Sequence, residues 1–296
     1  LTATELRAAL DRYRADIEPA LAEAVPEVGG ALGRLHEAMR YSVIDGGKRL
    51  RPALCLASCE AVGGDAREAL APSVAVELIH AYSLVHDDLP CMDDDDLRRG
   101  RPTSHRVYGE ATAVLVGDGL LTRAFGVLAE ADLPAATRVR MVEVLAEAAG
   151  SRGMVGGQAL DLAAEGSVDV DLPTLQYIHT RKTGALFRAA CRLGGLAGGA
   201  DDAQDERLGR FGEKIGLAFQ IVDDVLDETG SAEQLGKSAG KDRSRGKLTY
   251  PFLLGVAESR RRVEELGREA EELGRSFGEA GSTLALLARH VVERTA

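Results

Sequence analysis

Tryptophan is absent from the 296 residues, and aromatic side chains make up only 4% of them. A core therefore has to be built mostly from Leu, Val and Ala, and the 45% hydrophobic share is large enough to bury one without metal or disulfide staples. Proline totals 9, no stretch is Pro-rich, Ser-rich or repetitive, and the 34 glycines fall at the ends of apolar segments, so no linker divides the chain. One domain over residues 1–296 is the expectation. Cysteine is confined to Cys55, Cys59, Cys91 and Cys191, with neither a CxxC pair nor the Cys/His spacing of a zinc site. A reduced, cytoplasmic setting fits, and Cys55 with Cys59 reads as helix packing. Positive charge is short as well: the formal net charge of −11 argues against a nucleic-acid surface, though not against local binding of an anion. No stretch approaches the roughly 18 uncharged apolar residues of a membrane span. Leu1 to Leu21 carries four acidic residues instead of a basic-then-apolar leader pattern, so stable membrane insertion is not expected.

Strand-like alternation of useful length is also missing, whereas helical periodicity is widespread. Between Leu70 and Val85, apolar residues at Leu70, Val74, Leu78, Ala81 and Val85 follow steps of four and three. Val76, Ile79 and Leu84 fill most of the remaining surface, leaving a narrow polar stripe of Glu77, His80, Ser83 and Asp87. Gly212 to Glu228 repeats the design, with Gln220, Asp223, Asp224 and Asp227 as its stripe. A helix facing water has a broad polar face, so a stripe this narrow points into an interior cavity, and two such helices suggest one shared cavity. Further helices are expected over Thr4–Val25, Leu32–Ile44, Arg51–Val62, Ala111–Ala131, Ala136–Ala149, Leu172–Gly194 and two runs from Pro251. The expected class is an all-α bundle with a central cavity between two aspartate-rich helices.

Six carboxylates lie within the ten residues Asp87 to Asp96. Their mutual repulsion calls for a cation. Pro90 disfavours a helical Leu89, so Asp93 is expected to turn back toward Asp87. Mg²⁺ suits such a place, because it typically takes one or two carboxylates and completes its shell with water and substrate phosphate. Arg98 and Arg99 then read as partners for phosphate oxygens; the alternative is a solvated acidic turn neutralised by the two arginines. Asp223 and Asp227, four apart on the second helix, extend the metal reading, against an alternative of buried ion pairs with lysine. Gly46-Gly47-Lys48-Arg49-Leu50-Arg51-Pro52 opens a helix with three cations and is a candidate phosphate cradle, although the first Gly and the Ser/Thr of a P-loop are missing. Lys237, Lys241, Arg243, Arg245 and Lys247 form a second basic stretch. Either stretch could be plain surface charge. His80, on the stripe with Asp87, reads as a ligand-binding residue; His179 has no assignment.

Together these strings resemble the short-chain trans-prenyl diphosphate synthases, from about Leu35 to Leu254. The carriers are GGKRLRP, HAYSLVHDDLPCMDDDDLRRGRPT, GGQALD, KTGALF, FQIVDDVLD and LGKSAGKD followed by GKLTYP. The resemblance implies an isoprenoid-synthase fold, a homodimer and three Mg²⁺ ions with substrate bound. It implies Asp87, Asp88 and Asp93 as first-cluster metal ligands and Asp223, supported by Asp227, as second-cluster ligands. Lys48, Arg51, His80 and Arg99 correspond to the isopentenyl diphosphate site. Arg98, Lys182, Lys237 and Lys247 correspond to allylic diphosphate contacts, with Thr183 and Gln220 beside the developing cation.

The implied reaction ionises an allylic diphosphate and joins it head-to-tail to isopentenyl diphosphate. Tyr82, five residues before Asp87 and next to Ser83, stands where a bulky ring can close the floor of the apolar cavity. An aromatic residue there, with the longer first cluster, resembles bacterial farnesyl diphosphate synthases, so a fifteen-carbon product is expected and the twenty-carbon geranylgeranyl product is the alternative. A terpene cyclase would have no use for the second basic pocket, and a regulatory prenyltransferase subunit commonly loses one aspartate cluster. A Ca²⁺-binding EF-hand lacks its ligand and glycine spacing here.

Overall fold

A computed structural model describes residues 3–44, 46–166, 170–229 and 248–293. Its helices are α1 (Ala3–Ala24), α2 (Gly33–Val43), α3 (Leu50–Ala61), α4 (Leu70–Asp87), α5 (Ser104–Tyr108), α6 (Glu110–Glu130), α7 (Ala135–Ala149) and α8 (Met154–Ala164). They continue with α9 (Leu172–His179), α10 (Ala185–Ala197), α11 (Asp202–Thr229), α12 (Tyr250–Leu254), α13 (Val256–Arg275) and α14 (Ser282–Glu293). Lys237, Lys241, Arg243, Arg245 and Lys247 lie outside the described residues.

The long apolar helices form where the periodicity placed them, because each buries the face its sequence supplies. α4 buries Val74, Ala75, Val76, Leu78, Ile79, Ala81, Tyr82 and Val85, packing against α6, α3 and α10. α11 packs on α10 and α13 and runs through both hydrophobic clusters. Leu208, Phe211 and Ile215 sit in the larger one, and Leu217, Ile221, Val222 and Val225 in a smaller one closed by Tyr250, Val263 and Leu266.

Three segments depart from expectation. Leu97–Arg98 and Arg101–Pro102 form a two-residue antiparallel hairpin with Leu97 opposite Pro102 and Arg98 opposite Arg101. α8 is a helix despite two adjacent glycines near its start, which local propensity disfavours. The segment expected as one helix over Leu172–Gly194 is instead α9, a π-helical turn at Thr180–Gly184, and α10.

The expectation about membrane-length segments also needs correction. α6 spans 21 residues with a mean hydropathy of 1.4 over its most apolar window, so by length and composition it is apolar enough to cross a bilayer. Asp118 and Arg123 interrupt the run. Its buried side packs on α4, α2, α5 and α7, and only 39% of that window is buried.

Candidate active site

The polar stripe of α4 splits into two uses. Glu77 is buried and meets Arg49, which is also buried and has a left-handed backbone (φ 49°) that turns its side chain inward. Arg49 donates to Glu77 Oε1 at 2.7 Å, to both carboxylate oxygens of Glu18 at 3.0 Å, and to the Val43 carbonyl at 2.7 Å. One of the three cations in the glycine-led string is therefore a structural tie. The other stripe residues, His80, Ser83 and Asp87, line a cavity of about 400 Å³.

That cavity is walled by α4, by α8 through Met154, Gln158 and Leu162, by Arg51 at the start of α3, and by Lys182 and Thr183 of the π-helical turn. α11 meets this wall through Gln220, which is bonded to Thr183, and through Asp223, whose charge acts on Arg51, while Asp224 is buried. Thr183 donates to Gln220 Oε1 (2.7 Å), and Gln220 Nε2 donates to Asp224 Oδ1 (2.9 Å). Asp224 Oδ2 is shared by His179 Nε2 (3.1 Å) and the Tyr250 backbone N–H (3.1 Å). His179 thus gains an assignment: with the Tyr250 ring stacked beside it at 5.7 Å, it fixes the carboxylate that fixes Gln220.

The wider π turn directs the consecutive Lys182 and Thr183 into one cavity, in keeping with the frequent use of such turns at functional sites. Gly157 makes room for it: a Cβ there would lie 2.2 Å from the Lys182 backbone nitrogen. Lys182 Nζ pairs with Asp161 Oδ2 at 2.5 Å. Burial alone would lower its pKa, but Asp161 and Asp87 hold it above the ordinary value.

Beyond α4 the chain turns back as Pro90 suggested, with Asp93 N–H donating to the Asp87 carbonyl at 2.7 Å and Asp95 N–H to that of Asp88 at 3.2 Å. Burial, reinforced by Asp93 and Asp88 and opposed by Lys182 and Arg98, pushes the Asp87 carboxyl up to about 6. Asp88 is buried too, but is held by Arg98, whose Nε donates to Oδ1 at 3.0 Å. In this structure Asp88 is an ion-pair partner, and Arg98 is engaged with Asp88 and Asp95. On α11, Asp223 acts electrostatically on Arg51, while the buried Asp227 Oδ1 has no hydrogen-bond partner among the described residues. No three His, Cys, Asp or Glu side chains converge into a metal cage among the described residues. That donor set still fits Mg²⁺, which needs only one or two carboxylates per ion when phosphate supplies the rest. An orphaned buried carboxylate oxygen and a carboxyl crowded by its neighbours are groups that a cation would satisfy.

The opposite pole is basic. The Arg51 guanidinium lies 4.5 Å over the Phe187 ring, and burial pushes its pKa down to about 10, so it remains charged at neutral pH. His80 is held well below its usual pKa by burial and by Arg51, Arg99, Arg98 and Arg49, which leaves a neutral imidazole able to donate one hydrogen bond. Arg99 lies against Gly46 and Gly47: a Cβ on Gly47, whose φ is +90°, would sit 2.7 Å from its guanidinium nitrogen. Lys48 is exposed beside this group. Tyr82 and Ser83 line the same cavity; the Tyr82 hydroxyl is buried without a partner, and its ring meets His86 edge-on at 5.8 Å.

Two further residues, Gln158 in the lining and Asp161 paired with Lys182, have no role assignable from sequence alone. Gln158 points both amide atoms into buried space without a partner, and Asp161 holds Lys182. Both come from the GGQALD string, three residues apart and hence on one helix face.

An all-helical isoprenoid-synthase bundle carrying an acidic and a basic pole on one apolar cavity defines the short-chain trans-prenyl diphosphate synthases as a class. The chain belongs to the polyprenyl synthetase family, whose profile matches residues 33–277. It is 52% identical over 252 residues to geranylgeranyl pyrophosphate synthase 4 of Arabidopsis thaliana, a match covering 84% of this chain and 67% of that protein. Among solved structures it resembles a FPP/GFPP synthase from Zymomonas mobilis, with TM-score 0.89 and 40% identity over 98% of this chain and 100% of that one. It also resembles a Helicobacter pylori geranyltransferase complexed with magnesium and isoprenyl diphosphate, with TM-score 0.84 and 32% identity over 96% of each chain.

Proposed function

We propose that this chain is an Mg²⁺-dependent trans-prenyltransferase that condenses isopentenyl diphosphate with an allylic diphosphate. The observation that carries the reading is one largely apolar cavity whose lining brings Asp87 and Lys182 together with Arg51 and His80. When bound, Mg²⁺ would be held by Asp87, Asp93 and Asp223, with Asp227 in support, and would stabilise charge on the departing diphosphate. Lys182 stabilises the same charge as a preorganised cation, aided by Asp161 behind it. Arg98 is the further candidate contact there, and Arg51, His80, Arg99 and Lys48 hold the second diphosphate. As the allylic C–O bond breaks, Thr183 Oγ1 and the Gln220 amide, locked by Asp224, present oxygen dipoles near the allylic carbon. The apolar wall excludes water. The alkene of isopentenyl diphosphate attacks, and the released diphosphate takes the proton that is lost.

For product length, similarity to the plant geranylgeranyl synthase supports a twenty-carbon product. Tyr82 favours a second reading, a fifteen-carbon product, because its ring lies in the cavity wall below Asp87. A homodimer in a cytoplasmic setting belongs to the same proposal. The test incubates the purified chain with isopentenyl diphosphate and dimethylallyl, geranyl or farnesyl diphosphate, with Mg²⁺ or with chelator, and identifies products by mass spectrometry. The expected result is Mg²⁺-dependent elongation to twenty carbons, with Tyr82→Ala lengthening the product by at least one five-carbon unit. Arrest at fifteen carbons selects the second reading, an unchanged Tyr82→Ala product removes Tyr82 as floor, and no condensation from any starter rejects the activity.

A further inference from the structure

A second cavity, of about 430 Å³, shares no lining residue with the first. It lies among α7, the π-helical turn, α10, α11 and α13, and six cations line it: Arg152, Arg181, Arg188, Arg192, Lys214 and Arg262. Only Glu147 and Glu213 oppose them within the lining. Four of the cations are tied to carboxylates. Arg188 meets Glu213 at 2.9 Å, Arg192 meets Asp205 at 2.5 Å, Arg262 meets Glu265 at 2.6 Å, and Lys214 meets Glu269. Arg181 lies over the Tyr177 ring at 3.3 Å, and neither it nor Arg152 has a carboxylate within ion-pair distance among the described residues. Between the cations the wall is aliphatic, from Val144, Leu217 and Leu266 with Ala148, Ala185 and Ala189.

Guanidinium forks set around an aliphatic floor ask for an anionic head on an apolar body. Arginine pairs with phosphate oxygens through parallel charge-assisted bonds. An apolar cavity with a few convergent polar groups is the usual form of a small-ligand site. We propose that this cavity is a second, non-catalytic site for a diphosphate group, carried on an aliphatic chain. The ligand class rests on the reaction proposed above, whose product has that chemistry. The two cavities meet at one element: Lys182 and Thr183 face the first, while Thr180, Arg181 and Gly184 face the second. Occupancy of the second cavity therefore bears on the turn that positions Lys182 and Thr183.

The test is calorimetric titration of the full chain, with Mg²⁺ present, using geranylgeranyl diphosphate in one arm and inorganic diphosphate in the other. Two classes of site are expected in the native sequence. Arg152→Glu with Arg181→Glu should weaken one class by about tenfold or more and spare the other. Arg262→Glu, on a different helix, should act on the same class, so a folding defect in one variant cannot carry the result. Weaker binding of inorganic diphosphate assigns the site to the prenyl ester, and equal binding assigns it to the free anion. A single class of site in the native chain, or two classes untouched by either variant, overturns the proposal. Because the readout is binding, a chain that turned over no substrate would still reveal whether this cavity takes the ligand. In turnover assays, added product should lower kcat in the native chain and fail to do so in the double variant.

Discussion

Burial and two neighbouring carboxylates lift Asp87 to about 6, so without a bound cation the folded chain keeps this carboxyl protonated to higher pH than an ordinary aspartate. The sign follows from linkage. The contribution of Asp87 to stability of the metal-free fold is fully present below the ordinary aspartate value of 3.8 and is lost as pH rises through about 6. A metal ion competes with that same proton, so Mg²⁺ affinity should fall as pH drops through about 6. Between pH 7 and pH 5 calorimetry should find about tenfold weaker Mg²⁺ binding, and Asp87→Asn should abolish the step. A flat profile in the native chain would contradict the assignment of Asp87 as the titrating ligand. At this scale the sequence was informative about groups that gather by proximity in the chain, such as Asp87, Asp93 and Arg98. It was silent about groups that gather only by packing. Asp224 looked like one more aspartate in a cluster, yet it faces His179 and the Tyr250 backbone and serves Gln220. Its difference from Asp223 is one helical step of orientation, which periodicity places on a neighbouring face but cannot populate with partners.

The elements that matter most are the π-helical turn and α8 beside it. Periodicity over Leu172–Gly194 indicates helix without the turn, because an extra residue in one turn rotates the later residues about the axis while leaving the apolar pattern nearly intact. α8 is hard to see in the sequence because two glycines weaken a helical signal, and the reason for one of them is tertiary: Gly157 admits the Lys182 backbone. Gly157→Ala would put a Cβ 2.2 Å from the Lys182 nitrogen and 2.6 Å from its Cα, both backbone atoms with little freedom to yield. Overpacking of this kind costs about 1–3 kcal/mol, which urea unfolding would read as a lower midpoint. Because the displaced segment carries Lys182 and Thr183, kcat should fall by about a hundredfold while the remaining protein stays folded. Loss of stability with native kcat would mean that the turn tolerates displacement and that the close contact serves packing alone.

Across the whole molecule, large apolar side chains lie exposed on three successive helices: Val107 on α5, Val114 and Leu115 on α6, and Val139 on α7. Leu115 is 55% exposed and Val139 60% exposed, on or next to a helix whose most apolar window is only 39% buried. Charged residues elsewhere keep most of the surface wetted, as on α13, where Val263, Leu266 and Ala270 supply the buried side of a helix rich in Arg and Glu. The proposed homodimer gives the exposed side of α6 something to cover it, and a second copy offers the same apolar face in return under two-fold symmetry. Static light scattering of the full chain at micromolar concentration should therefore give twice the chain mass. Leu115→Glu with Val139→Glu places two charges where water would otherwise be excluded, which should shift the population to monomer with helicity retained. A dimer unaffected by the double substitution moves the interface to another face. A native monomer at these concentrations rejects the homodimer and leaves the α6 surface to a different chain.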